Sequence, residues 1–156
     1  MLSALVWPSA LSLLLAWGAA SDIRSRILPN WLAALLLAFG LVFAAMSGGL
    51  ETLGWHAAHS AVALVVGMGL FAAGVFGGGD AKFYTGMAAF FPLSMGLKLL
   101  LFVAISGGVL ALGWIIARRI APTKMGKDEG SFGKLPYGVA IATGGIALAW
   151  TASIAA

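Results

Sequence analysis

A chain of 156 residues that is 62% apolar and only 9% charged, with a mean hydropathy of +1.04, cannot form one soluble globule, in which about a quarter of the residues are charged. Most of it must face lipid, and too little lies outside the apolar runs for a separate soluble domain, so residues 1–156 are expected to form one membrane-embedded domain. Cysteine is absent, which excludes disulfides, thiolate nucleophiles, Cys-ligated zinc and iron–sulfur clusters together.

Charges divide the chain into six uncharged runs, 1–21, 31–50, 52–79, 83–97, 99–117 and 135–156. A hydrocarbon core about 30 Å thick takes about 20 helical residues, and every run is near that except 83–97. It is kept as a span, because joining it to the next run would give one helix of about 52 Å. Pro92 to Gly96 is the natural break, since proline removes a backbone donor and glycine permits a reversal. The expected fold is therefore all-α, a polytopic bundle of about six transmembrane helices; the runs lack the alternating period of barrel strands. The paired glycines Gly107-Gly108 and Gly144-Gly145 are expected at close helix contacts. Trp7, Trp31, Trp55, Trp114 and Trp150 are expected mostly as interfacial anchors.

The first run resembles a secretory signal only in its small residues Gly18-Ala19-Ala20; no Lys or Arg precedes it, and Arg24 follows it. The first helix should therefore insert with its N-terminus outside. Alternation places 22–30, 77–82 and 118–134 in the cytoplasm, with the C-terminus outside. Those connections carry Arg24, Arg26, Lys82, Arg118, Arg119, Lys124, Lys127 and Lys134, whereas the outside segments carry Lys98 alone. This asymmetry explains the net charge of +4 without a nucleic-acid partner. Pro122 to Gly133, rich in Gly and charge, reads as the flexible cytoplasmic connection.

Asp22 and Asp80 then fall on the same side, at the cytoplasmic ends of the first and third helices. Carboxylates near membrane depth are costly and mark functional sites. Brought within a few ångströms, the two would share one proton. That is the arrangement of an aspartic protease, in which an ionised carboxylate activates water while its protonated partner polarises the scissile carbonyl. The plainer reading makes Asp22 a turn residue and Asp80 an N-cap. Gly77-Gly78-Gly79 before Asp80 favours the first reading, because residues without side chains admit an extended substrate backbone and let the turn take positive φ. Lys82 either favours ionised Asp80, touches substrate carbonyls or anchors topology; Arg24 and Arg26 read as anchors whose charge helps to ionise Asp22. His56 and His59, three residues apart, could share a helix face and bind a metal with Glu51, but a catalytic zinc site wants three well-placed ligands with a supporting shell and these lie at the end opposite the aspartates, so no metal or cofactor is expected.

Gly77-Gly78-Gly79-Asp80-Ala81-Lys82 resembles the Gly-x-Gly-Asp-x-Lys motif of type IV prepilin peptidases. Asp22-Ile-Arg-Ser-Arg-Ile-Leu-Pro29-Asn30 is similar to the family's first aspartate motif, and Leu135-Pro136-Tyr137-Gly138 to the start of its last helix. Leu28, Phe83 and Tyr137 stand where Ile, Leu and Phe are commoner. The resemblance implies a Gly-x-Gly-Asp-type aspartic protease bundle in the bacterial inner membrane. Its catalytic residues would be Asp22 and Asp80, with substrate met by Gly77, Gly78, Gly79, Lys82, Pro136, Tyr137 and Gly138. The implied substrate is a type IV prepilin or pseudopilin, and the implied partners are the bilayer and the pilus assembly machinery. Without the paired Cys-x-x-Cys segment of bifunctional members, the chain resembles the short Flp/Tad kind, for which no methyltransferase activity is expected. Archaeal preflagellin peptidases share the two-aspartate core. The rivals are a small proton-coupled transporter or channel component using the two aspartates, disfavoured by the apolar middles of the runs, and a structural assembly protein.

Overall fold

The computed structural model describes residues 2–120 and 135–155. Pro122 to Gly133, with Lys124, Lys127 and Lys134, and the side chain of Arg118 lie outside the described residues. The elements are α1 (Leu2–Ser25), α2 (Asn30–Ala72), α3 (Gly78–Ala88), a single 3-10 turn (Leu93–Met95), α4 (Gly96–Ile120) and α5 (Tyr137–Ala155). No strand occurs among the described residues. Three stretches among them are long and apolar enough to cross a membrane: Asn30–Ala72, Leu93–Ala117 and Tyr137–Ile154.

α2 is two arms rather than one rod. Gly48 (φ −159°, ψ 24°) and Gly49 (φ 67°, ψ −152°) leave helical geometry, and at positive φ glycine has no Cβ to clash. The reversal falls here instead of at Glu51, because charge marks where a chain meets water and backbone freedom decides where it bends. α3 lies between the arms. Its Gly86 abuts the Ala33 carbonyl and its Ala89 end abuts Gly40 on the first arm, while its Ala81 packs on Gly67 of the second.

The span expected over 83–97 is a short helix and a turn instead. α3 has 11 residues, about 16 Å at 1.5 Å per residue and so about half a hydrocarbon core. Pro92 (φ −66°) opens the 3-10 turn, and α4 starts at Gly96, as that proline and glycine foretell. The freed carbonyls at the end of α3 are taken by the two histidines: His56 Nδ1 donates to Ala89 O at 2.8 Å and His59 Nδ1 to Phe91 O at 2.9 Å. Satisfying those buried carbonyls is the role that the geometry gives the pair. Among the described residues no three His, Cys, Asp or Glu side chains gather as a metal site.

α3 is also the centre of the core, with Phe83 and Met87 buried against Leu11 and Leu15 of α1, Leu32 and Leu36 of α2, and Ile141 of α5. The Phe83 ring fills the space left by Gly18. α5 packs on both α1 and α4, and a Cβ on Gly144 would meet the Val103 backbone at 2.6 Å, the close approach expected of that glycine pair. Gly108 faces open space, so the pairing at Gly107-Gly108 is not a contact on both residues. Trp31 and Trp55 are exposed. Trp7 stacks on Phe43 with centroids 5.2 Å apart, and Trp150 Nε1 donates to Ser12 Oγ at 3.1 Å, so both also pack within the bundle.

Candidate active site

Asp22 does not sit in a connection. It occupies the last turn of α1, buried, and the helix ends three residues later at Ser25. Arg26 then adopts φ 55°, the left-handed conformation that ends a helix. A residue with a Cβ spends roughly 1–2 kcal/mol there. Its amide donates to Asp22 O at 3.0 Å, and Ser21 Oγ donates to Ile27 O at 2.7 Å. These bonds fold 26–29 tightly, so that Pro29 (φ −64°, ψ 134°) can start α2 at Asn30.

Asp80 arrives from the opposite side of the chain reversal at 73–77. The positive-φ glycine of that turn is Gly74 (φ 73°), whereas Gly77 is extended at φ −74°; the expectation of positive φ at Gly77 to Gly79 is corrected. Gly77 is the N-cap and Asp80 the third residue of α3, so Asp80 does not cap the helix in the ordinary way. From that position its carboxylate reaches back to the Gly77 backbone N–H, as the acidic member of a capping box does. A Cβ on Gly77 would collide with Asp80 Oδ2. Gly79 lies over Leu28 at ordinary contact distance, and Gly78 over Phe71.

The third motif completes the arrangement. Pro136 is buried, Tyr137 opens α5 half-exposed with its ring 6.2 Å from Phe76, and Gly138 N donates to Asp22 Oδ2 at 2.8 Å, across 116 residues of chain. A Cβ on Gly138 would lie 2.8 Å from that same oxygen. Glycine is needed here for close approach, not for φ. The first and second motifs are tied directly too, by Lys82 Nζ donating to Asn30 Oδ1 at 3.1 Å. Lys82 is thus a clasp between motifs, and the groups that shift Asp80 are its burial, Asp22 and Gly77.

The carboxyls have unlike surroundings. Burial raises Asp22 above the ordinary carboxylate range, but the Gly138 N–H, the Arg26 charge and the Val139 N–H all oppose it by favouring the ionised form. The N-terminus of α5 adds its dipole in the same sense. Asp80 is pushed up to about 6, first by burial and then by the Asp22 charge, with only the Gly77 N–H opposing. The pair is therefore close enough for the Asp22 charge to act on Asp80, and more groups favour the ionised form at Asp22 than at Asp80.

Residues 9–112, two thirds of the chain, match the family model of the type IV leader peptidase family. The chain belongs to that family. The peptidase is accordingly a protease, and its three apolar stretches accord with a membrane protein. No curated protein and no solved structure matches it. The matched region includes both aspartates and ends before α5, so the part taken by Gly138 in holding Asp22 is known from geometry alone. That long-range bond is the site feature missed by sequence reasoning, which had marked Gly138 only for its motif.

Proposed function

We propose that this peptidase is a two-aspartate endopeptidase that removes the leader of Flp-type type IV prepilins at the cytoplasmic face of the bacterial inner membrane. The observation that carries the reading is the meeting of Asp22 and Asp80, from separate helices, where burial raises both carboxyls while the Gly138 and Val139 N–H groups and the Arg26 charge oppose it at Asp22 and the Gly77 N–H alone opposes it at Asp80. Asp22 takes a proton from water as the water attacks the scissile carbonyl; Asp80 hydrogen-bonds the carbonyl oxygen and then protonates the leaving amine. Gly77, Gly79 and Tyr137 line the approach for an extended leader. No cofactor is required, and methylation is not expected of it.

In this reading residues 1–156 form one membrane domain in which α1, the two arms of α2, α4 and α5 each cross the bilayer. α3 and the turn after it carry the chain from the cytoplasmic side to the start of α4 on the outer side, so that both termini lie outside. The test is co-expression with an Flp-type prepilin, reading the product by mass: a single cut at the leader junction is expected. An uncut prepilin, in membranes where the peptidase is present and folded, would sink the assignment.

The same chemistry gives a pH dependence. One carboxyl must be protonated, and the group that holds the proton titrates near 6. The kcat/KM for leader cleavage should therefore fall as pH rises through about 6, roughly tenfold for each further unit. Rates that stay level from pH 6 to 8 would show that no such proton is used.

A further inference from the structure

Beside the carboxylates lies a cavity of about 600 Å³, almost wholly apolar, and its walls are built like a helix interface. The second arm of α2 contributes His59, Ala63, Gly67 and Leu70, and α4 contributes Gly96, Leu100, Ala104 and Gly107. Both sets have the same spacing of four, four and three, which is one face of an α-helix over about 16 Å. The stripes look onto one shared space, yet α2 and α4 have no appreciable packing between them; α4 is held by α5. Two helices presenting matched stripes across a gap have the form of a bundle with one member missing. Small residues on a membrane helix let another backbone come close, and a surface meant only for acyl chains has no need of them.

Two further features say which helix fits. The cavity is also lined by Phe76, Ala81 and Tyr137, the chain neighbours of Gly77, Asp80 and Gly138, so it lies next to the aspartate site. His59 on its wall is 3% exposed. Because its Nδ1 donates to Phe91 O, Nε2 is the ring's acceptor, and it lies 3.1 Å from where a Cβ on Gly96 would be, on the cavity wall. The occupant is thus an apolar helix leading to the peptide at the carboxylates, with bulky side chains against Ala63 and Ala104.

We propose that this gap seats the apolar helix that follows the leader in the substrate, entering sideways from the bilayer between α2 and α4; the inference rests on the peptidase reading. One turn of helix about 10 Å across fills roughly 420 Å³, so the cavity takes the inward face of two to three turns. The rival occupants are lipid chains and a second copy of the protein.

The absence of cysteine makes a direct test possible. Ala104→Cys is on the wall, and Ile105→Cys, one position round α4, is exposed and off it. Each is placed in an Asp22→Asn background, held in membranes with an Flp-type prepilin carrying one cysteine in its apolar helix, and oxidised. Cross-linking from position 104 at least about tenfold above that from 105 is expected. Equal yields, none from 104, or a peptidase dimer joined at 104 would each overturn the proposal, in the last two cases in favour of lipid or a second copy.

A second arm reads cleavage. Ala104→Trp should raise KM for the whole prepilin about tenfold and leave kcat/KM unchanged for a soluble leader peptide cut short of the apolar helix. Unchanged values on both substrates would also overturn it. Should the Trp variant not fold, the cross-linking pair decides alone. If the parent enzyme cuts neither substrate, the peptidase reading has failed, and this is separable because cross-linking needs no turnover.

Discussion

Asp22→Asn and Asp80→Asn are each expected to lower prepilin cleavage by about 10⁴-fold at matched membrane levels, the upper end of what a positioned acid or base supplies and equivalent to about 5 kcal/mol of barrier. Neither change is expected to disturb the fold. An amide at position 22 keeps an oxygen to accept the Gly138 N–H bond seen at 2.8 Å. At position 80 it removes a charge that burial and Asp22 both oppose. The sign of the stability effect follows from that opposition. A carboxyl whose folded pKa lies above its unfolded value gives stability that is complete below about pH 4 and lost as pH rises through about 6. Asp80→Asn should therefore unfold at the same or a higher temperature than the parent at pH 8 in detergent, while being inactive. Cleavage persisting in either variant would remove that aspartate from the chemistry. A large fall in melting temperature for Asp80→Asn would mean that the carboxylate is structural.

Gly138→Val is expected to cost about 10² in cleavage, the scale on which roughly 1 Å of misplacement of a reacting group is felt. Its Cβ would stand 2.8 Å from Asp22 Oδ2 and 3.0 Å from Asp22 Cβ. Asp22 must swing away, and with it goes the hydrogen bond that favours its charge. The matched control is Gly108→Val, where nothing lies within 4 Å of an added Cβ. That variant should cleave within about twofold of the parent, because surface changes clear of such features are usually small in effect. Equal activity in the two variants would show that the α5 anchor does not matter to the chemistry.

How much of this was legible in the sequence depended on whether the cause was local. Pro92 and Gly96 announce the break before α4, and Pro29 the start of α2, because proline and glycine act on their own backbone. Charge asymmetry predicts the two aspartate motifs on one side of the membrane, and the fold brings the two motifs into contact. Glu51 misled by three residues, since the bend needed the backbone freedom of Gly48-Gly49 rather than a charge. Length misled at 83–97, where an apolar run of ordinary composition is a short helix held between the arms of α2. Trp7 and Trp150 read as headgroup anchors and also meet Phe43 and Ser12, partners that no periodicity reveals. The same holds for Lys82 and Asn30, and above all for Gly138 and Asp22: each of these pairs is made by the tertiary fold.

The bond from Gly138 to Asp22 has a further consequence for the order in which the enzyme comes into being. Both carboxylates are translated within the first 80 residues, yet the amide that anchors one of them belongs to the last helix, which also packs along α1 through Trp150 and Ser12. A nascent chain in which α5 has not yet docked holds the pair without its clamp. Docking of α5 is then the step of assembly that fixes the Asp22 carboxylate, and the site is completed by tertiary closure rather than by either aspartate helix alone.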